Sequence, residues 1–461
     1  MKNIFFILLA FFIITAALSS QNWQKLEGTD PYINVILVTE NEPDRFAIAA
    51  DNAEIVSPFN PLDDVISFPQ FGGGLFISND GGETFSEAKL ASYSVYAMAK
   101  NPENNDIWYA SIRRMTRSGI SLSNDGGDSW NETVPFLCEG SYQIMDISAN
   151  AKHYPDIYAA VSKTDKGFMH TKDDFLTCTA MDDFAIQSRS VAASPVKDDL
   201  IFIAGDDFYA GGVFRSYDKG KTWIKDSEGI ENLRIHCVLP SKFDPAIVYC
   251  GADSVTNKHE IIGKGIYMSL DTGKTWRHVG AYGATCFDLA QHPYEKDFIV
   301  AACGEDGVYL SGSEGYAFEN LSEGLPEETM VTKVAFPYWE AQDGKVIALA
   351  GTHGDGLYIS KPIYTSVNER MANNMPDLLK IYPNPAKENI SLLFEMFKGS
   401  KISVNITDSY GRIIFSTKAG YYPEGQNIID LTLPQNISGG VYYVTVRTEY
   451  SYSTKMMTVI R

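Results

Sequence analysis

The chain has 461 residues and a formal net charge of −20. Acidity on that scale argues against nucleic acid or an anionic membrane as the main partner. Aromatics at 12% and 37 Gly describe a strand-rich chain with many tight turns, not a disordered or collagen-like one.

The first segment reads as an address, not as part of the fold. Met1-Lys2-Asn3 is a short positive stub, and Ile4 to Leu18 is an uncharged run rich in Phe, Leu and Ile. Ala16, Ala17, Ser19 and Ser20 supply small residues for cleavage just before Ser20 or Gln21. This is the pattern of a secretory signal peptide over residues 1–20. No Cys lies near the site, which argues against a lipid anchor. No later stretch reaches the roughly 20 apolar residues of a spanning helix, so no transmembrane segment is expected after cleavage. The remainder is long enough for two or more domains.

One phrase then recurs: Gly, three strand residues, Ser, a polar turn, an aromatic. Its clear copies run Gly74 to Phe85, Gly119 to Trp130, Gly212 to Trp223 and Gly265 to Trp276, with degenerate copies from Gly167 to Cys178 and Gly307 to Phe318. A truncated seventh, Gly356 to Ser360, stops before Pro362. Equivalent positions are Asp80, Asp125, Asp173, Asp218, Asp271 and Ser313, at steps of 45, 48, 45, 53 and 42 residues. Two short β-branched or aromatic runs precede each phrase, such as Val95 to Ala99 and Ile107 to Ala110. A period in the forties with four strands per unit is the length of a propeller blade.

The phrase resembles the Asp-box of bacterial neuraminidase-type and sortilin-type repeats, Ser-x-Asp-x-Gly-x-Thr-Trp. The matching residues are Ser78, Asp80, Gly82, Thr84 and Phe85, then Ser123, Asp125, Gly127, Ser129 and Trp130. Ser216, Asp218, Gly220, Thr222 and Trp223 form the third good copy, and Ser269, Asp271, Gly273, Thr275 and Trp276 the fourth. Each is read as the hairpin turn between the third and fourth strands of a blade. The carboxylate accepts turn amides, the Gly takes a backbone conformation that others resist, and the aromatic packs beneath. These acids are therefore structural and not catalytic. The resemblance also places the boxes on the face opposite the ligand-binding mouth. The seventh copy lacks an outer strand, and Asn22 to Leu26 looks like the strand that follows a box. Residues 21–361 are thus expected to close as a seven-bladed ring.

Residues 362–377 read as a polar, turn-rich linker. From residue 378 to 461, strand-like runs and turns predict a small Ig-like antiparallel sandwich. This tail resembles the type A C-terminal sorting domain of the type IX secretion system of Bacteroidota. Tyr382, Pro383, Asn384, Pro385, Gly411, Gly440, Tyr442 and Lys455 carry the match. The resemblance implies passage through the periplasm, a partnership with that machinery, and release or attachment at the outer-membrane surface. The ring and the tail differ in charge, since residues 377–461 hold 9 Lys or Arg against 7 Asp or Glu.

Six Cys in an exported chain permit disulfides. Cys237 with Cys250 and Cys286 with Cys303 fall at similar places in successive repeats, as buried thiols or as one or two disulfides; Cys138 and Cys178 complete the set.

Catalysis and binding are sought on loops joining second to third strands and joining blades. Asp51 to Phe71 is an insertion carrying Asp63 and Asp64. The other mouth loops hold Arg113, Arg114 and Arg117, then Asp206, Asp207 and Tyr209, then His259 and Glu260, Glu305 and Asp306, and His353 and Asp355. A glycoside hydrolase requires two carboxylates, one of them kept protonated. Asp206, Asp207, Glu305, Asp306 and Asp355 are the weak candidates for such a pair. Arg113, Arg114, Arg117, Arg189 and Arg234 lie on mouth loops, yet the Arg-Ile-Pro element of sialidases is absent, and Arg234-Ile235-His236 lies in the fifth repeat. No metal or cofactor motif stands out among the scattered His. The expected protein is an all-β, secreted or surface-attached binding module for an extracellular glycan or surface protein. A glycoside hydrolase acting on an extracellular polysaccharide is the alternative.

Overall fold

The computed structural model describes residues 22–364 and 379–460, apart from 30–31, 41, 51–72, 115–116, 132–136, 141–142, 151, 163–166, 181–186, 207–210, 227, 257–259, 339–344, 397–399, 409–411, 419, 424, 435–436 and 448–451. The leader, the Asp51–Phe71 insertion and most of the linker lie outside these residues.

Seven antiparallel sheets follow one another. Blade 1 holds Ile33–Val38, Phe46–Ala50 and Gly74–Ser78, with its outer strand reduced to a bridge between Leu75 and Lys89. Blades 2 to 6 each have four strands in sequence order. Their inner strands are Ser94–Lys100, Gln143–Ser148, Gln187–Ala193, Arg234–Pro240 and Asp288–Gln291. Blade 7 takes Met330–Ala335, Leu349–His353 and Leu357–Ser360 from the end of the ring and Trp23–Lys25 from its start. Trp23 lies opposite Ser360, and Lys25 opposite Tyr358. The Trp23 indole, 2% exposed, donates to the Leu321 carbonyl at 2.7 Å, so the first strand grips blade 6 as well. Closure in this way leaves the ring without a free outer edge at its seam.

The second strands are almost continuously apolar, as in Phe46–Ala50, Ile157–Ser162 and Phe298–Ala302, because both of their faces are covered by neighbouring blades. Each inner strand is the axial edge of its sheet, so its axis-facing groups need partners other than a ladder strand. The blade before it supplies them. The Asp146 carboxylate accepts from Ser190 Oγ and Val191 N, both at 3.0 Å. Val238 N donates to Ser190 Oγ at 3.3 Å, and Val334 N to the Asp288 carboxylate at 3.1 Å. Asp146, Ser190, Cys237, Asp288 and Lys333 thus occupy one level of the axis. Burial raises both carboxyls above the ordinary range, against the pull of Lys333. Burial alone would lower the Lys333 ammonium, but Asp288 and Asp146 hold it above its usual value.

One disulfide joins Cys138, on the outer strand of blade 2, to Cys178 of blade 3. Cys237, Cys250, Cys286 and Cys303 are free and buried. Cys237 faces Gly251 rather than Cys250, so the pairs suggested by the repeat are offset in the ladder. Cys237 instead approaches Cys286 of the next blade: a Cβ added at Gly251 would sit 2.8 and 2.9 Å from their two sulfurs.

The C-terminal unit is a sandwich. One sheet orders Lys380–Tyr382, Asn389–Met396 and Gly425–Thr432; the other orders Ile413–Ser416, Ser400–Asp408, Gly440–Arg447 and Tyr452–Val459. Leu392, Phe394, Val404, Val444 and Met457 fill its core.

Candidate functional site

The turn phrase has one geometry in its four good copies. In blade 5, Asp271 accepts from Thr275 N and Thr275 Oγ1, both at 2.9 Å, and from Ser269 Oγ at 2.8 Å. Gly273 N donates to the same Ser269 hydroxyl at 2.8 Å, and the Trp276 indole to the Gly273 carbonyl at 3.2 Å. Asp80, Asp125 and Asp218 repeat the pattern with Thr84, Ser129 and Thr222. Hydrogen bonds from Thr84 hold the Asp80 carboxyl below its ordinary range. Three donors of its own turn meet each of these carboxylates.

The mouth is built differently. Six inner strands carry a register shift that leaves one residue out of the ladder: Asn34, Tyr96, Met145, Arg189, His236 and Thr332. A bulge of this kind re-aims its side chain and kinks the strand. Repetition around the ring places one such residue per blade at a single level near the axis. Phe287 holds the corresponding place in blade 6, next to Asp288.

The most elaborate part lies between blades 4 and 6. Arg234 Nε and Nη2 donate to the two oxygens of Asp253, each at 2.6 Å. His236 Nε2 lies 2.8 Å from the Asp253 carboxylate, and its ring meets Phe287 at 5.0 Å. Asp253 is 0% exposed. Burial would raise its carboxyl, but His236 and Arg234 win and hold it down to about 2. Burial lowers His236, and the charges of Arg189 and Arg234 lower it further despite Asp253. The bidentate fork fixes the guanidinium, and the carboxylate fixes the imidazole. This section brings Arg234, His236 and Phe287 together, with the Arg234 and His236 side chains 12% and 4% exposed. On the far side, Arg113 Nη1 donates to Gln143 Oε1 at 3.2 Å, and Arg114 stacks over Tyr93 at 5.8 Å.

The carboxylate candidates separate. Glu305 and Asp306 sit exposed in a turn where Gly304 pairs with Val331 of blade 7. Asp355 accepts from Thr329 Oγ1 at 2.9 Å, and its own amide donates to Thr352 Oγ1 at 3.0 Å. Asp206 ends its strand, and Asp207, Tyr209 and His259 fall outside the described residues. His353 packs edge-on against Tyr32 at 4.7 Å. Among the described residues no group of three or more His, Cys, Asp or Glu is arranged to hold a metal. Asp253 and its partners escape a reading of the sequence because Arg234 and Asp253 stand 19 residues apart and meet only through the ladder. The one local signal is the charged pair Arg234 and His236, flanking Ile235.

In the tail, the Asn384 side chain clasps the last strand. Its amide donates to the Met456 carbonyl at 3.1 Å and accepts from Thr458 N at 2.9 Å. The Tyr442 hydroxyl donates to the Ser438 carbonyl at 2.9 Å. Tyr382 is exposed, Lys455 half-buried, and Gly411 lies outside the described residues.

The architecture is that of an all-β ring of blades followed by a sandwich. Residues 380–460 match the family of secretion system C-terminal sorting domains. No curated protein sequence matches the chain. Among solved structures it is similar to PorZ, a bacterial surface component of the type IX secretion system of Porphyromonas gingivalis, at 14% identity and TM-score 0.47. That likeness covers 94% of this chain and 60% of PorZ. It is also similar to YCF48 from Cyanidioschyzon merolae, at 13% identity and TM-score 0.49, covering 75% of this chain and 99% of that one. A GH74 enzyme of Niastella koreensis gives 14% identity and TM-score 0.49, covering 93% and 66%. The ring is established by its own strand order, not by these likenesses. No helix among the described residues is long and apolar enough to cross a membrane.

Proposed function

We propose that this protein is a secreted or outer-membrane-attached propeller that binds an extracellular glycan or a surface protein at its mouth. The type IX machinery delivers it through residues 378–461. The observation that carries the reading is the use of Asp253. This buried acid is neutralised by Arg234 and His236 and serves to hold recognition groups rigidly. A hydrolase requires one free carboxylate and one raised carboxyl at the mouth. A positioned set of Arg, His and aromatic groups is instead the chemistry of recognition.

A glycan array and a pull-down from outer-membrane extracts test the mouth, each run with the exported protein and with Arg189→Ala. Retention that the substitution weakens is expected. Absence of retention in both assays overturns the reading. Polysaccharide digestion abolished by Glu305→Gln replaces it with a hydrolase. Deletion of residues 378–461 is expected to leave the protein in the periplasm, and undiminished appearance in the medium refutes the sorting assignment.

A further inference from the structure

The turns joining first to second strands open on the face that carries the Asp-boxes, away from the mouth. Three of them, from blades 5, 6 and 7, build an aromatic corner. Tyr338 of blade 7 and Tyr294 of blade 6 have ring centroids 6.3 Å apart, inclined at 76°. Lys242 of blade 5 places its Nζ 5.6 Å from the Tyr338 ring centroid. His292 backs the corner, 1% exposed, packed on Phe336 at 5.1 Å and accepting from the Tyr294 and Glu295 amides through Nδ1.

The corner is partly open. Tyr294 is 48% exposed and Phe243 41%. Burial lowers the Lys242 ammonium to about 8, and Glu40 of blade 1 opposes the shift. Burial and the Lys242 charge lower His292 to about 4, so the imidazole is neutral near pH 7. Burial raises Tyr338 to about 12, helped by Glu40 and Tyr294, so its hydroxyl stays a donor. Lys242 therefore sets a donor against an aromatic wall.

We infer that this corner is a second binding site, for a neutral pyranose of a glycan. A sugar ring has an apolar C–H face and a polar hydroxyl edge. Tyr294 offers a wall to the first, and Lys242 and the Tyr338 hydroxyl offer hydrogen bonds to the second. A protein partner is disfavoured because a hot spot needs surroundings that exclude water. Here Glu40, Glu42, Asp244 and Asp297 stand exposed nearby. The same carboxylates repel an anionic polysaccharide. The inference does not depend on the mouth.

Isothermal titration of the full exported chain with cellohexaose, xylohexaose, mannohexaose and tetragalacturonate tests it. At least one neutral hexaose is expected to bind, with an affinity unchanged from roughly 0.1 to 1 M NaCl. Tyr294→Ala is expected to weaken it about tenfold. Lys242→Met weakens it less, and Arg189→Ala at the mouth leaves it unchanged. Tyr294 is a surface side chain, and circular dichroism confirms that the variant is folded. Binding of no neutral probe, binding indifferent to Tyr294→Ala, or tighter salt-sensitive binding of tetragalacturonate overturns the inference. Loss of binding in Arg189→Ala alone assigns the sugar to the mouth.

Discussion

Blades 4 and 3 solve the same turn by different means. In blade 4, Ser216, Asp218, Gly220 and Thr222 close the hairpin, and Trp223 stacks edge-on against Phe168 at 5.1 Å. Gly220 has a φ of +82°, and a Cβ there would meet the Phe168 ring at 2.6 Å. In blade 3, Thr171, Asp173 and Thr177 keep the hydrogen bonds. Yet Phe175 stands where the Gly should be, at φ +67°, and Cys178 stands where the Trp should be. Phe175 is fully buried against Tyr109 at 5.5 Å, and Cys178 is tied to Cys138. The decayed copy exchanges an aromatic lid and a glycine for a buried ring and a covalent bond across blades. A repeat can therefore lose its signature and keep its turn, provided a neighbouring blade takes over the packing.

Severing that covalent bond breaks the comparison most sharply. Cys138→Ser with Cys178→Ser opens a loop of 40 residues, and the chain-entropy model gives a loss of about 4 kcal/mol. Urea unfolding is expected to show it, with early exchange confined to blades 2 and 3. In intact blade 5, Asp271→Ala removes the acceptor of four turn donors, Ser269 Oγ, Lys274 N, Thr275 N and Thr275 Oγ1. A loss of about 1–2 kcal/mol in thermal unfolding is expected. Blade 6 offers the converse, since Ser313 fills the Asp position and keeps only the half of the turn built on Ser311. Ser313→Asp is expected to stabilise by at most about 1 kcal/mol, read as a raised Tm.

The smallest effect is local and depends on acid. The Asp218 and Asp271 carboxyls titrate below the ordinary carboxylate range when folded: burial would raise them, but hydrogen bonds from Thr222 and Thr275 outweigh it. Their contribution is complete above the unfolded value and is lost as pH falls through the folded one. Exchange at the Thr222 and Thr275 amides should accelerate relative to Gly315 as pH falls below about 4. Gly315 N donates to a serine hydroxyl at 2.9 Å and has no carboxylate to lose. Equal acceleration at all three amides contradicts the division of labour between the two halves of the turn.

What was legible followed the range of the forces. The box is local chemistry within about ten residues, so Ser269 to Trp276 announces its own hairpin. The seam was legible too, because a last repeat that stops at Ser360 requires an outer strand from elsewhere. The bulges were not: the sequence suggests loops for Arg189 and Arg234, whereas both lie on inner strands, and no residue type marks where the register slips by one. The Cys138–Cys178 pairing left a trace in the third phrase, which ends on Cys where others end on an aromatic. Reading it required knowing which blade face that position meets.

The seam in blade 7 also bears on the order in which the ring assembles. Trp23 and Ser360 are partners in one sheet, yet the whole ring lies between them in sequence. During synthesis Trp23 has nothing to pair with until Ser360 arrives. Whatever order the other blades form in, the ring locks last. A pairing between residues so far apart in sequence forms late, because the long intervening chain must first be ordered.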